Sequence, residues 1–252
     1  MVSLSQANEL RLAQAEMRSL VEARMNEIVA YLASRPNLTP EQFRNSLISQ
    51  TNLVVSQYGS VAASLAAEWY EDIRATEGVR GNFRALPQAS PYGDDSVEGM
   101  VRRAVSPMFT DSPDVAAVML TVSQNAGKYV LGASRETIRR NSFIDPGGTG
   151  FQRIARPGSC DFCIMLAGRG AVYKKETAFF ASHGDCNCAA VPSWDRDAPE
   201  VDVTLYTASR RTTGMSESAR KAHNAAIRDF MSSNRKAIDD FRSELNTVLL
   251  AA

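Results

Sequence analysis

Along this chain, long stretches with apolar residues every three or four positions alternate with short stretches rich in Gly, Pro and Ser. The first periodic stretch, Leu4 to Leu32, carries Met17, Leu20, Val21, Ile28 and Leu32 in a background of Ala, Glu, Arg and Gln, which are good helix formers. Pro36 stops it. The segment "LTPEQF" predicts the next start, with Thr39 as N-cap, Pro40 in the first turn and Gln42 completing a capping box. Its apolar stripe runs Val54, Tyr58, Val61, Leu65, Trp69, Ile73. "GVRGNFRALPQASPYGDD" then reads as a long loop. A capping box of Asp95 and Glu98 predicts a helix over Val97–Phe109. Ser112 and Pro113 predict the start of another, with Val115, Val118, Val122, Ala126, Tyr129 and Ala133 on one face and an end near Arg140.

"DPGGTG", Asp145 to Gly150, is the sharpest break, and no helix can run through it. It lacks the Walker lysine and the GxGxxG spacing of a phosphate loop, so it reads as a turn or a domain boundary. From Phe151 to Tyr206 the segments are short and turn-rich, with "AAVPSW" and "VDVTLY" as short strands. The tail from Met215 to Leu250 is helical again, with Ile227, Phe230, Asn234, Ile238, Phe241, Leu245 and Val248 stepping by three and four. The fold class is therefore mainly α: a helical N-terminal region (1–145) and a C-terminal helix (213–252) around a small α+β, Cys/His-rich module (146–212).

Composition narrows the function. Lys and Arg balance Asp and Glu at 28 each, so no global charge drives the chain toward nucleic acid or an acidic surface. The first residues lack a basic segment followed by an apolar run, and no apolar stretch is long enough for a membrane span. An intracellularly assembled protein without a membrane partner is expected. In that setting clustered cysteines bind metal or act chemically more often than they form disulfides.

All four cysteines and one of the two histidines fall in "CDFCIMLAGRGAVYKKETAFFASHGDCNC". The pattern is Cys160-x2-Cys163, then His183-x2-Cys186-x-Cys188. These soft sulfur and nitrogen donors suit zinc. Five candidates compete for four places: Cys160, Cys163 and His183 form the clearest three, and Cys186 and Cys188 compete for the fourth. A closed site of this kind would be structural and would hold a thin module together. Asp161, Glu176 and Asp185 are nearby carboxylates that read as exposed. Two other chemistries use the same residues. A cysteine nucleophile would need His183 or His223 as its base, and a C-x-x-C pair can be a redox disulfide. No G-x-S-x-G elbow is present and no catalytic residue can be named.

"RPGSCDFCIMLAGRGAVY" followed by "FFASHGDCNCAAVPSW" resembles the MuF-like minor head proteins of tailed bacteriophages. The shared pattern is C-x-x-C, a small-residue turn ending in V-Y, and H-x-x-C-x-C before a short strand. It covers Arg156 to Trp194 and is closest to a subgroup from phages of actinobacteria, described as head-morphogenesis proteins or capsid maturation proteases. Asn187 stands where many members carry an arginine. The resemblance implies a virion component near the portal, assembled in the host cytoplasm. It would act in capsid assembly or DNA packaging, with the portal protein, a major capsid or scaffolding protein and packaged DNA as partners. The protease description brings no motif that maps onto residues here; an enzymatic role, if present, would be capsid maturation. A zinc-knuckle nucleic-acid binder is the further alternative, and would use Arg153, Arg156, Arg169, Lys174 and Lys175.

Overall fold

The computed structural model describes residues 2–156, 158–169, 173, 174, 180, 188–198 and 215–250. The protein is mainly α. Helix α1 spans Leu4–Ala33, α2 Pro40–Thr76, α3 Asp94–Ala104 and α4 Val115–Ile144, with a 3-10 turn at Ser106–Phe109. Strand β1 (Gly150–Ile154), helix α5 (Asp161–Ala167) and strand β2 (Ala189–Ser193) form the module, and α6 (Glu217–Ser233) and α7 (Arg235–Leu250) close the chain. The second predicted strand, 201–206, lies outside the described residues.

The helix starts follow local chemistry. Thr39 and Gln42 form the predicted capping box with Pro40 in the first turn, and Ser3 with Gln6 makes a second box that opens α1. Two predicted starts are corrected. Helix α3 begins at Asp94 behind Gly93, without a side-chain cap, and the run to Phe109 breaks into α3 and the 3-10 turn where Pro107 interrupts it. Helix α4 is capped by Asp114, which accepts from the Ala117 amide, instead of by Ser112, and it continues to Ile144.

Helices α1, α2 and α4 form the bundle. Leu32 and Phe43 meet across the tight α1–α2 turn, whereas Tyr70 and Arg74 at the end of α2 meet Asn141 and Asp145 at the end of α4. Thus α1 runs antiparallel to α2, and α2 and α4 run parallel. Between 59 and 67 the buried face of α2 is made of small residues, Gly59, Ala62, Ala63, Ala66 and Ala67, and a Cβ on Gly59 would lie 3.8 Å from that of Ala133, so α4 approaches closely. The predicted α2 stripe is only partly inside: Val54 and Ile73 are buried, but Val61 is 50% and Leu65 44% exposed. The α4 face is buried along Val118, Val122, Ala126, Tyr129 and Ala133 as expected.

The expected loop after α2 is an extended strap. Parallel α2 and α4 need a return crossing, and residues 83–92 make it along α4. Asn141 pairs with Leu86 as a second strand would, its Oδ1 accepting from the Leu86 amide and its Nδ2 donating to the Leu86 carbonyl, both at 2.9 Å. Thr137 Oγ1 accepts from the Gln88 amide, Ser90 donates to the Tyr129 carbonyl, and the Tyr92 and Tyr129 rings stack.

The "DPGGTG" turn follows α4. A Cβ on Gly148 would sit 2.3 Å from the Ser142 carbonyl oxygen, and Gly150 has φ +130°, so both positions require glycine. Strands β1 and β2 pair antiparallel with Gly150 opposite Ser193 and Ile154 opposite Ala189. Pro192, which has no N–H to give, sits opposite Phe151. Phe151 instead exchanges both backbone hydrogen bonds with Tyr173 on its other side. The predicted C-terminal helix is divided at Asn234 into α6 and α7. Ile238 and Leu245 of α7 are buried in the module's core, and no residue of α6 is.

Candidate functional site: the cysteine module

The two cysteine-bearing segments flank the β1–β2 ladder in the chain: one follows β1 and the other leads into β2. The last pair is Ile154–Ala189, so Cys188 lies one residue beyond the ladder on β2 and Ala155 one residue beyond it on β1. Five residues after Ala155 the chain turns into α5. Cys160 is its N-cap, and its carbonyl accepts from the Ile164 amide at 3.0 Å. Cys163 follows three residues later, in the first turn of the helix. Cys160 is exposed, whereas Cys163 and Cys188 are buried in a single apolar core with Phe151, Ile164, Leu166 and Tyr173. His183 and Cys186 lie outside the described residues, as do Glu176, Asp185 and Lys175. Among the described residues no three His, Cys, Asp or Glu side chains group as a metal centre. Cys160, Cys163 and Cys188 supply soft donors of the right kind for zinc, and a four-ligand set has to draw on His183 or Cys186 as well.

Two arginines support the module: Arg135, not among the candidate site residues, and Arg153, named above as a nucleic-acid contact of the zinc-knuckle alternative. Arg135 on α4 is 2% exposed and donates from Nε to the Cys188 carbonyl at 3.0 Å. Arg153 on β1 is 1% exposed, opposite Ala190, whose small side chain leaves it room. The guanidiniums lie 5.0 Å (Arg135) and 3.8 Å (Arg153) from the centre of the Phe180 ring, within cation–π range. Burial first, then Arg156, holds the Arg11 guanidinium on α1 below its ordinary value, and Cys188 opposes that shift. A signal for Arg135 existed in the sequence: of the four residues one turn away from it, Leu131, Gly132 and Ile138 are apolar or small and only Arg139 is charged.

Arg153 cannot serve as a nucleic-acid contact, because its side chain is inside the protein. Arg156 and Arg169 are half-buried, and Lys174 donates to the Arg196 carbonyl. His223, one of the two possible bases, lies on α6, far along the chain from the module's strands.

The module is bolted to the bundle by Asp145, the first residue of the glycine turn. Its side chain is completely buried. It accepts from Arg74 Nε at 2.8 Å and Nη2 at 3.2 Å, Tyr70 Oη at 3.1 Å, Trp194 Nε1 at 3.2 Å and the Gly147 amide at 2.9 Å. Burial alone would raise its pKa; the bonds from Arg74, Gly147 and Trp194 outweigh that and hold the carboxyl below the ordinary range. Burial, with Asp145 beside it, pushes the Tyr70 phenol far upward. With every lone pair engaged and no opening to solvent, this constellation is a fastening between α2, α4 and β2, not a reaction centre.

No helix among the described residues is long and apolar enough to cross a membrane. No curated protein and no solved structure matches the chain. Residues 1–213, which comprise the bundle, the strap and the cysteine module but neither α6 nor α7, match the family model described as VG15 protein, and the chain belongs to this family of phage or viral-gene type.

Proposed function

We propose that this phage-type protein is a minor head protein of the MuF-like kind, acting in capsid assembly at the portal vertex. In this reading Cys160, Cys163, His183 and either Cys186 or Cys188 hold a structural zinc. The observation that carries the reading is that Cys163 of the C-x-x-C turn and Cys188 of the second segment are buried in one core. The VG15 family supports the phage origin, and the motif's resemblance to phage head proteins supports the head role. The cluster's part is to tie together segments that are short: two five-residue strands and a seven-residue helix.

Elemental analysis of purified protein should give one zinc per chain, with the thiols protected until denaturation. Metal-free protein with four reactive thiols would reject the zinc. Cys186→Ser and Cys188→Ser, compared for retained zinc, identify the fourth ligand. For the head role, co-expression with the portal protein of the same phage should yield a complex. A phage deleted for this gene should give defective heads; normal, DNA-filled heads from that deletion would reject the role.

A further inference from the structure

Helix α7 lies beyond the residues that match the family, yet it holds the C-x-x-C turn at both ends. Asp161, the residue directly after Cys160, is paired through Oδ2 with Arg235 at 2.8 Å and through Oδ1 with Arg242. One carboxylate thus receives two guanidiniums from positions about two turns apart on one helix. At the other end of α5, Gly168 faces Phe241, and a Cβ there would come within 3.3 Å of that ring. Between these points Ile238 enters the same core as Cys163 and Ile164. A helix of seven residues has too few internal hydrogen bonds to fix its own orientation, so what packs on it decides where its first turn points.

We propose that α7 positions the C-x-x-C turn, with Arg235 and Arg242 acting through Asp161 to set where the Cys160 and Cys163 sulfurs stand. The proposal rests on the metal reading above. Asp161 is not itself a ligand; it belongs with the outer partners that orient ligands and whose loss lowers metal affinity roughly 10–100-fold. The tail, outside the residues that match the family model, is then a working part of the cysteine site.

The test uses the full chain and cobalt(II), whose thiolate charge-transfer and ligand-field bands report both binding and geometry. Arg235→Gln/Arg242→Gln should bind cobalt(II) about tenfold or more weakly in competition with a chelator, with displaced ligand-field bands. Arg235→Lys/Arg242→Lys, which keeps both charges, should recover most of the affinity and the bands. Both arginines are at least one-third exposed, so the fold tolerates these changes, and circular dichroism checks this. A Gln double variant with wild-type affinity and spectrum overturns the positioning role while leaving the metal reading intact. A Lys variant as impaired as the Gln variant also overturns it, because charge on Asp161 would then not be what matters. Wild-type protein without a thiolate–cobalt band overturns the metal reading, and this role with it.

Discussion

At the scale of single residues, Asp145 concentrates the most consequence. Replacing it by Asn keeps its size but leaves Arg74 buried without its counter-charge. Removing one partner from a buried ion pair costs about 3–5 kcal/mol, and Asp145→Asn should lose about that much in urea unfolding. The same carboxyl gives the protein an acid limit. Its folded pKa lies below its unfolded one, so its stabilisation is complete above the ordinary Asp value of about 3.9 and is lost as pH falls toward the folded value. Urea midpoints should therefore drop below about pH 4 in the wild type and fall less steeply in Asp145→Asn. Equal slopes would mean that other carboxylates set the acid limit. Nothing in "DPGGTG" reveals this role, because the partners of Asp145 stand about 70 residues before it and 49 after it.

At the scale of elements, the inner face of α2 shows what periodicity reads well and what it misses. Spacing finds the helix and its capping box. It then selects the large residues Val61 and Leu65 as core, because bulk is the visible signal, whereas the close parallel approach of α4 needs Ala63, Ala66 and Ala67. Ala66→Leu should cost more than about 2 kcal/mol through overpacking, and Leu65→Ala less than about 1, as compared by chemical denaturation. The reverse order would mean that the stripe of large residues is the packed face. The strap was legible as a loop but not as a fixed one, since its anchors Thr137 and Asn141 are polar residues within a helix and read as solvated. Asn141→Ala strands the Leu86 amide and carbonyl at about 1–3 kcal/mol, and hydrogen exchange should show residues 86–90 opening while the α1–α2 hairpin stays protected. The module was legible only as a cysteine pattern: its α5 and β1 are too short to show a period, and their order comes from α4, α7 and each other.

At the scale of the whole molecule, stability is graded along the chain. The bundle holds most of the buried apolar residues, α7 contributes Ile238 and Leu245, and α6 contributes none. Hydrogen exchange should therefore be fastest in α6, slower in α7 and slowest in α2 and α4. Equal protection of α6 and α7 would mean that the two move as one unit. The parallel run of α2 and α4 has a further consequence, in time. Helices α1 and α2 are joined by residues 34–39 and can pair as soon as both are made. Helix α4 is separated from α2 by residues 77–114, and its last anchor, Asp145, joins it to Tyr70 and Arg74 only after that length has been synthesised and folded back. During that interval the alanine-rich face of α2 is uncovered. A nascent chain stalled there presents to its neighbours a surface shaped for one particular helix, so the hazard in making this protein falls between the second long helix and the third.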